Sequence, residues 1–228
     1  MKYFLIKYFL LHTLWSFAQT KDTIPKTNFK EDSGRPFRQL YVPSALIVGG
    51  IFSEVNFRRS LNFELYKKRN NDIPHFKTRV DDYLQYSPIL LAYGFDAMGL
   101  PSKTDFINRS VILLKSELIM SAAVTGLKYT IRELRPDSSE RTSVPSGHTA
   151  QAFAAAAFIS EEYGKRYKWV PYLSYTLAST VGVLRIMNNK HYLSDVLIGA
   201  GIGILSTKVS YWTHQYKWGK GKTNIQKI

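Results

Sequence analysis

The chain has no cysteine among its 228 residues, so disulfides, thiolate metal sites and a cysteine nucleophile are all excluded. It has no internal repeat. None of its apolar stretches is the clean charge-free run of ~18 residues that would by itself declare a membrane helix. Histidine is sparse, at positions 12, 75, 148, 191 and 214, and negative charge is scarce, with 17 Asp+Glu against 31 Lys+Arg. The resulting net charge of +14 predicts anionic partners: nucleic acid, an acidic membrane surface or phosphorylated substrates. Apolar residues are not short. At 45% they exclude disorder and collagen-like repeats. The length fits one ordinary domain with an extension and is tight for two. A mean hydropathy of −0.19 is low for a chain that is mostly transmembrane.

The first residues read as an address. Lys2 and Lys7 precede an apolar run from Tyr8 to Phe17, and Ser16-Phe17-Ala18 puts small residues where a signal peptidase cuts. The reading is a signal peptide over 1–18; an uncleaved anchor helix is the alternative. In both cases the residues after it lie outside the cytoplasm, which weakens the nucleic-acid reading. Residues 19–82 form a polar N-terminal extension. Within it Lys21 to Tyr41 is a flexible lead-in, Ala45 to Phe52 is an apolar run too short to span a bilayer, and Glu54 to Asp82 is mixed and charged.

From Tyr83 the composition shifts, and apolar stretches recur at about 83–100, 110–131, 148–160, 170–187 and 192–212. Each is long enough for a helix and too long for an ordinary strand. The alanines at 152 and 154–157 add helix propensity. The predicted fold is all-α: a helical bundle over 83–212, transmembrane with about five core spans, followed by a basic tail at 213–228. If these segments cross a membrane in turn, Lys103, Arg109, Lys165, Arg166, Lys168 and the tail lysines fall on the cytoplasmic side. Asp96, Lys115, Glu117 and Lys208, which interrupt the stretches, lie toward those same ends, where long side chains snorkel. A soluble periplasmic bundle of amphipathic helices is the alternative.

Three local patterns carry chemistry. Lys128 and Arg135 stand seven apart before Pro136, about two helical turns, and two cations on one face can grip a phosphoryl group. Alone, such a pair is more often a solvated helix face. Pro145-Ser146-Gly147-His148 is a turn entering a helix, where free backbone N–H groups and the helix dipole favour an anion. Ser146 adds a hydroxyl, Gly147 allows close approach, and His148 can supply a proton; the plainer reading is an N-capping serine beside a surface histidine. In the third pattern Arg185 adds a cation, and His191 and Asp195 have the i,i+4 spacing of one helix face. A carboxylate fixes the imidazole tautomer and leaves the other nitrogen free as a nucleophile. No second carboxylate–histidine pair has ligand spacing, which disfavours a metal. Together the inventory suits phosphoryl transfer through a phosphohistidine.

In order and spacing the three patterns resemble the signature of the type 2 phosphatidic acid phosphatase and vanadium haloperoxidase superfamily: Lys-x6-Arg-Pro, Pro-Ser-Gly-His and Ser-Arg-x5-His-x3-Asp. One position departs, with Leu184 where the signature has serine. That removes a hydroxyl and no charge. The resemblance implies His191 as nucleophile, Asp195 as its orienting partner and His148 as general acid and then base. Lys128, Arg135, Ser146, Gly147 and Arg185 would bind the phosphate, with no metal and no cofactor.

The expected activity is a lipid phosphatase of a bacterial inner membrane, its site facing the periplasm and its substrate a lipid phosphate or diphosphate such as lipid A, undecaprenyl diphosphate or phosphatidic acid. Nucleic acid is not an expected partner. A soluble periplasmic acid phosphatase, a vanadate-dependent haloperoxidase and a non-catalytic membrane module are the alternatives.

Overall fold

A computed structural model of the chain describes residues 36–54 and 60–215. After a 3-10 turn at Pro36–Leu40, the described residues form eight α-helices. These are α1 (Tyr41–Glu54), α2 (Leu61–Asp72), α3 (Val80–Leu84), α4 (Ser87–Ala97), α5 (Phe106–Ile131), α6 (Gly147–Tyr163), α7 (Trp169–Met187) and α8 (Leu193–Trp212). The all-α architecture expected from periodicity is the one observed. The expected leader at 1–18 and most of the basic tail lie outside the described residues.

Local chemistry explains where the helices start and stop. Ser60 caps α2 by accepting from the Phe63 N–H at 3.2 Å, and Asp105 caps α5 by accepting from the Asn108 N–H at 3.1 Å. The stretch expected as one helix over 83–100 is instead two, α3 and α4, because Pro88 in the first turn of α4 has no N–H to continue an earlier helix. The described part of the extension, 36–54 and 60–82, is largely helical. Its short apolar run is the middle of α1, and its charged stretch holds α2.

The centre of the bundle is α6. Ala150, Ala152 and Ala154 to Ala157 are all buried, as are Phe158 and Ile159. Small side chains let neighbouring backbones close in, and α8 supplies the matching glycines. A Cβ at Gly199 would lie 2.6 Å from the Ser146 carbonyl oxygen, and one at Gly203 would run into the carbonyl of Ala150. Gly201, on another face, has the Pro43 carbonyl of α1 2.7 Å from where its Cβ would be. So α8 is wedged between α6 and α1 at backbone contact distance.

The end of the bundle where α6 finishes is tied by buried polar pairs. Glu162 accepts from the Thr104 N–H at 2.9 Å and from the Tyr211 hydroxyl at 2.5 Å, while Arg109 pairs with Asp96 at 2.7 Å. Two described helices, α5 and α8, are long and apolar enough to cross a membrane. They differ in what the apolar surface meets. The apolar window of α8 is 67% buried within the protein, whereas that of α5 is 22% buried, with Leu114 and Leu118 facing outward.

The glycine contacts generate a paired prediction. Gly203→Val should destabilise by about 2 kcal/mol or more through overpacking between α6 and α8. Gly126→Ala, with nothing within 4 Å of the added methyl, should be neutral or stabilising by up to about 1 kcal/mol. Thermal unfolding of the two purified variants checks both; equal melting points would contradict the close crossing.

Candidate active site

The three sequence patterns meet at one end of the bundle. Lys128 is in the last turn of α5, Ser146 and Gly147 open α6, Arg185 is in the last turn of α7, and His191 and Asp195 flank the start of α8. Two local expectations differ in detail. Lys128 and Arg135 do not share a helix face, because α5 ends at Ile131 and Arg132 takes a left-handed conformation at φ 53° that turns the chain. His191 and Asp195 do not share a helix either. His191 lies in the loop before α8, and Asp195 is the third residue of that helix.

Asp195 gathers the site. It is fully buried, and its Oδ2 accepts from the Ser143 hydroxyl at 2.5 Å and the Tyr192 N–H at 2.9 Å. The same oxygen lies 3.3 Å from Nδ1 of His191. Its backbone carbonyl accepts from the Ser146 N–H at 3.0 Å, so the α6 entry turn is bound to the α8 cap. Facing a carboxylate, Nδ1 of His191 is the protonated nitrogen, which leaves Nε2 with its lone pair. Burial drives the His191 pKa down to about 4 against the opposing pull of Asp195, with Arg185 and Lys128 adding to the decrease. The imidazole is therefore neutral over the ordinary pH range.

Cations surround this pair. Lys128 Nζ donates to the Thr142 carbonyl, and Arg135 pairs with Glu140 at 3.1 Å. Arg185 Nη1 is held by the buried carboxylate of Asp81 at 2.7 Å. Among the described residues, Nε of Arg135 and Nε of Arg185 are buried without a hydrogen-bond partner. Such groups are rare in folded proteins, because leaving one unmade costs about 1–3 kcal/mol. The Ser146 hydroxyl is engaged otherwise: it caps α6, 2.9 Å from the Thr149 hydroxyl. At the first position of α6, the Gly147 amide is one of those with no intrahelical acceptor. A Cβ at Gly147 would meet only Val124, at 3.8 Å.

Three acidic residues belong to the site and were not read from the sequence. Asp81 and Asp82, on α3, hold Arg185 and His148 respectively; Asp82 Oδ1 is 2.9 Å from Nε2 of His148. The oxygens and nitrogen of Asp81, Asp82 and His148 lie within 4.8 Å of one another, a spacing open to a cation, but Arg185 and Asn188 already occupy Asp81. Glu133 is the third. Burial first, then the charges of Asp195 and Glu54, push its carboxyl up to about 8, so it is protonated at neutral pH. A carboxylate pair one step from the expected domain edge, in a stretch of mixed charge, carries no sequence mark of this role.

Comparison with known proteins is consistent with this geometry. Residues 109–219 match the PAP2 superfamily. Over 138 residues the chain is 37% identical to the lipid A 1-phosphatase of Porphyromonas gingivalis, covering 60% of this chain and 31% of that protein. Over 71 residues it is 38% identical to the bacitracin transport permease protein BcrC of Bacillus licheniformis, covering 31% of this chain and 33% of that one. The matched stretches thus span about a third of either curated relative. Among solved structures, Aquifex aeolicus LpxE aligns with a TM-score of 0.50 and 23% identity over 67% of this chain and 96% of that one, a likeness of fold.

The depressed His191 pKa fixes a sign. Below pH 6.5 the unfolded chain takes up a proton at this residue that the folded chain refuses down to about 4. Acidification through that window should therefore cost stability, by about 2 kcal/mol at pH 5. His191→Gln should lack that component. Denaturant unfolding at pH 7 and pH 5 measures it, and parallel losses in both proteins would contradict a buried neutral imidazole.

Proposed function

We propose that this chain, whose residues 109–219 belong to the PAP2 superfamily, is a metal-independent phosphatase that hydrolyses a lipid phosphate or diphosphate through a phosphohistidine. The carrying observation is the pair of buried guanidinium nitrogens, Nε of Arg135 and of Arg185, that have no partner among the described residues; Arg185 and Lys128 bear electrostatically on the buried neutral His191, and Arg135 on Lys128. A phosphoryl group supplies the acceptors such donors require, and the planar Arg fork suits its oxygens.

In this reading Nε2 of His191 attacks phosphorus while the bond to the leaving oxygen breaks. Lys128, Arg135, Arg185 and the Gly147 amide stabilise the equatorial oxygens as charge spreads over them. His148 protonates the departing oxygen. It then takes a proton from water as the water attacks phosphorus, the P–N bond breaks and inorganic phosphate leaves. Asp195 holds the His191 tautomer, and Ser146 contributes by setting the start of α6. The hydroxyl of Ser146 turns to the phosphate only if it gives up its bond to Thr149.

Two observations favour a lipid substrate in a membrane. One relative is named for lipid A, and α5 exposes a stripe of apolar side chains that no other described element covers. The lysines and arginine at 103, 165, 166 and 168 lie in loops at the opposite end of the helices from the site. Taking that end as cytoplasmic orients the site to the periplasm of a bacterial inner membrane.

Phosphate release by detergent-purified protein across lipid A, undecaprenyl diphosphate, phosphatidic acid and p-nitrophenyl phosphate tests the proposal. Turnover of at least one lipid should survive a chelator, and His191→Ala should lower it at least about a thousandfold. Near-normal turnover in that variant, or release from none of the four, would overturn the reading. Extraction without detergent together with a preference for p-nitrophenyl phosphate would indicate a soluble acid phosphatase instead.

A further inference from the structure

Besides the buried pair of His191 and Asp195, the site holds a second histidine–carboxylate pair in a contrasting environment. The side chains of His191 and Asp195 are 2% and 0% exposed. In the second pair Asp82 Oδ1 lies 2.9 Å from Nε2 of His148, and the side chains are 31% exposed for His148 and 46% for Asp82. Asp82 and Arg185 also line an open polar cleft, so water reaches this pair.

Asp82 is placed by neighbours that do not depend on a substrate. Its N–H donates to the Arg79 carbonyl at 3.1 Å, and its carbonyl accepts from Nε2 of Gln85 at 2.8 Å. The adjacent Asp81 is locked by Arg185 Nη1 at 2.7 Å and by the Asn188 amide at 3.0 Å. The ring nitrogens of His148 are thereby distinguished. Facing a carboxylate, Nε2 is the nitrogen that keeps its proton. Nδ1 has no hydrogen-bond partner among the described residues. The charged form of His148 is opposed by burial and by Arg185, and favoured by Asp82 and Asp81. A hydrated pair can gain and lose the imidazolium charge at low cost, whereas a buried pair cannot.

We propose that Asp82 is a positioning residue for the general acid: it holds Nε2–H of His148 and leaves Nδ1 as the nitrogen that passes the proton. The proposal rests on the phosphatase reading and assigns atoms within it. As the bond from phosphorus to the leaving oxygen breaks, the Nδ1 proton of the imidazolium moves to that oxygen. The neutral ring keeps Nε2–H on Asp82. Nδ1 then takes a proton from the attacking water while the P–N bond to His191 breaks, and the imidazolium is restored. Asp82 exchanges no proton; its charge offsets one that comes and goes.

Asp82→Asn keeps the shape and an acceptor but removes the charge, with thermal unfolding as the folding control. kcat/KM is measured across pH for a lipid phosphomonoester, whose alkoxide leaving group needs a proton, and for p-nitrophenyl phosphate, whose phenolate does not. The expected loss is about tenfold or more for the lipid and within about threefold for p-nitrophenyl phosphate. The basic limb of the lipid profile should move down by about one pH unit, and Asp82→Glu should restore most of the lipid rate. Equal losses for both substrates, or an unmoved basic limb, would show a structural role only and overturn the proposal. Where the wild type releases phosphate from neither substrate, the phosphatase reading fails, and nitrogen-15 NMR of the histidine rings in the full chain decides the assignment without turnover. A neutral His148 protonated at Nε2, with a pKa that falls in Asp82→Asn, supports it; the other tautomer, or an unmoved pKa, overturns it.

Discussion

The site depends on how one buried carboxylate is satisfied. Asp195 receives the Ser143 hydroxyl and the Tyr192 amide on a single oxygen, faces His191 from that same oxygen, and through its backbone carbonyl receives the Ser146 amide. A charge in that position without these donors would be costly, because burial of an unpaired carboxylate is among the largest destabilising events in a protein. Meeting the cost forces three separated segments together: the loop after α5, the start of α6 and the start of α8. The geometry expected of a nucleophile and its orienting partner is therefore also the way the bundle closes at this end. Removing Asp195 would disturb packing and chemistry at once, so a deletion there cannot separate the two.

Backbone packing does the rest of the positioning. Gly199 and Gly203 bring α8 against α6 at distances no Cβ would tolerate, and Ser146, the cap of α6, sits at the first of these contacts. The end of α6 that presents Gly147 and His148 is thereby fixed relative to the end of α8 that presents Asp195. A second pair of contacts acts from outside the three signature patterns. Asp81 and Asp82 on α3 reach Arg185 and His148, so the segment before the first long helix completes the site instead of merely leading into it. Preorganisation of this kind, with each charged group held by another before substrate arrives, is what makes electrostatic stabilisation effective in a water-poor site.

The sequence was legible where chemistry imposes a spacing and illegible where it does not. His148, Arg185, His191 and Asp195 could be named because Pro-Ser-Gly-His and the Arg–His–Asp pattern are local strings, and Lys128 and Arg135 because Lys-x6-Arg-Pro is a third. The helices could be named because apolar runs of that length have few other folds. The path between strings could not. Lys128 and Arg135 lie at helical spacing, yet Arg132 breaks the helix between them, and nothing in its neighbours announces a left-handed residue. Helix α1 read as a short apolar run because its partner, the glycine face of α8, is about 150 residues away in sequence. Asp81 and Asp82 read only as part of a mixed, charged stretch for the same reason: their partners, Arg185 and His148, are 104 and 66 residues distant. Among the described residues much of the positive charge falls in three places: the candidate site, the loops at the opposite end, and the cleft beside Arg185.

The central claim is that His191 becomes covalently phosphorylated. Rapid-quench turnover of a lipid carrying ³²P at the scissile phosphate, followed by mass spectrometric mapping of the labelled peptide, tests it most directly. The account predicts a label that is stable in base, lost in acid and located on His191, in the loop before α8. Turnover with no trapped label, or a label on any other residue, would contradict it.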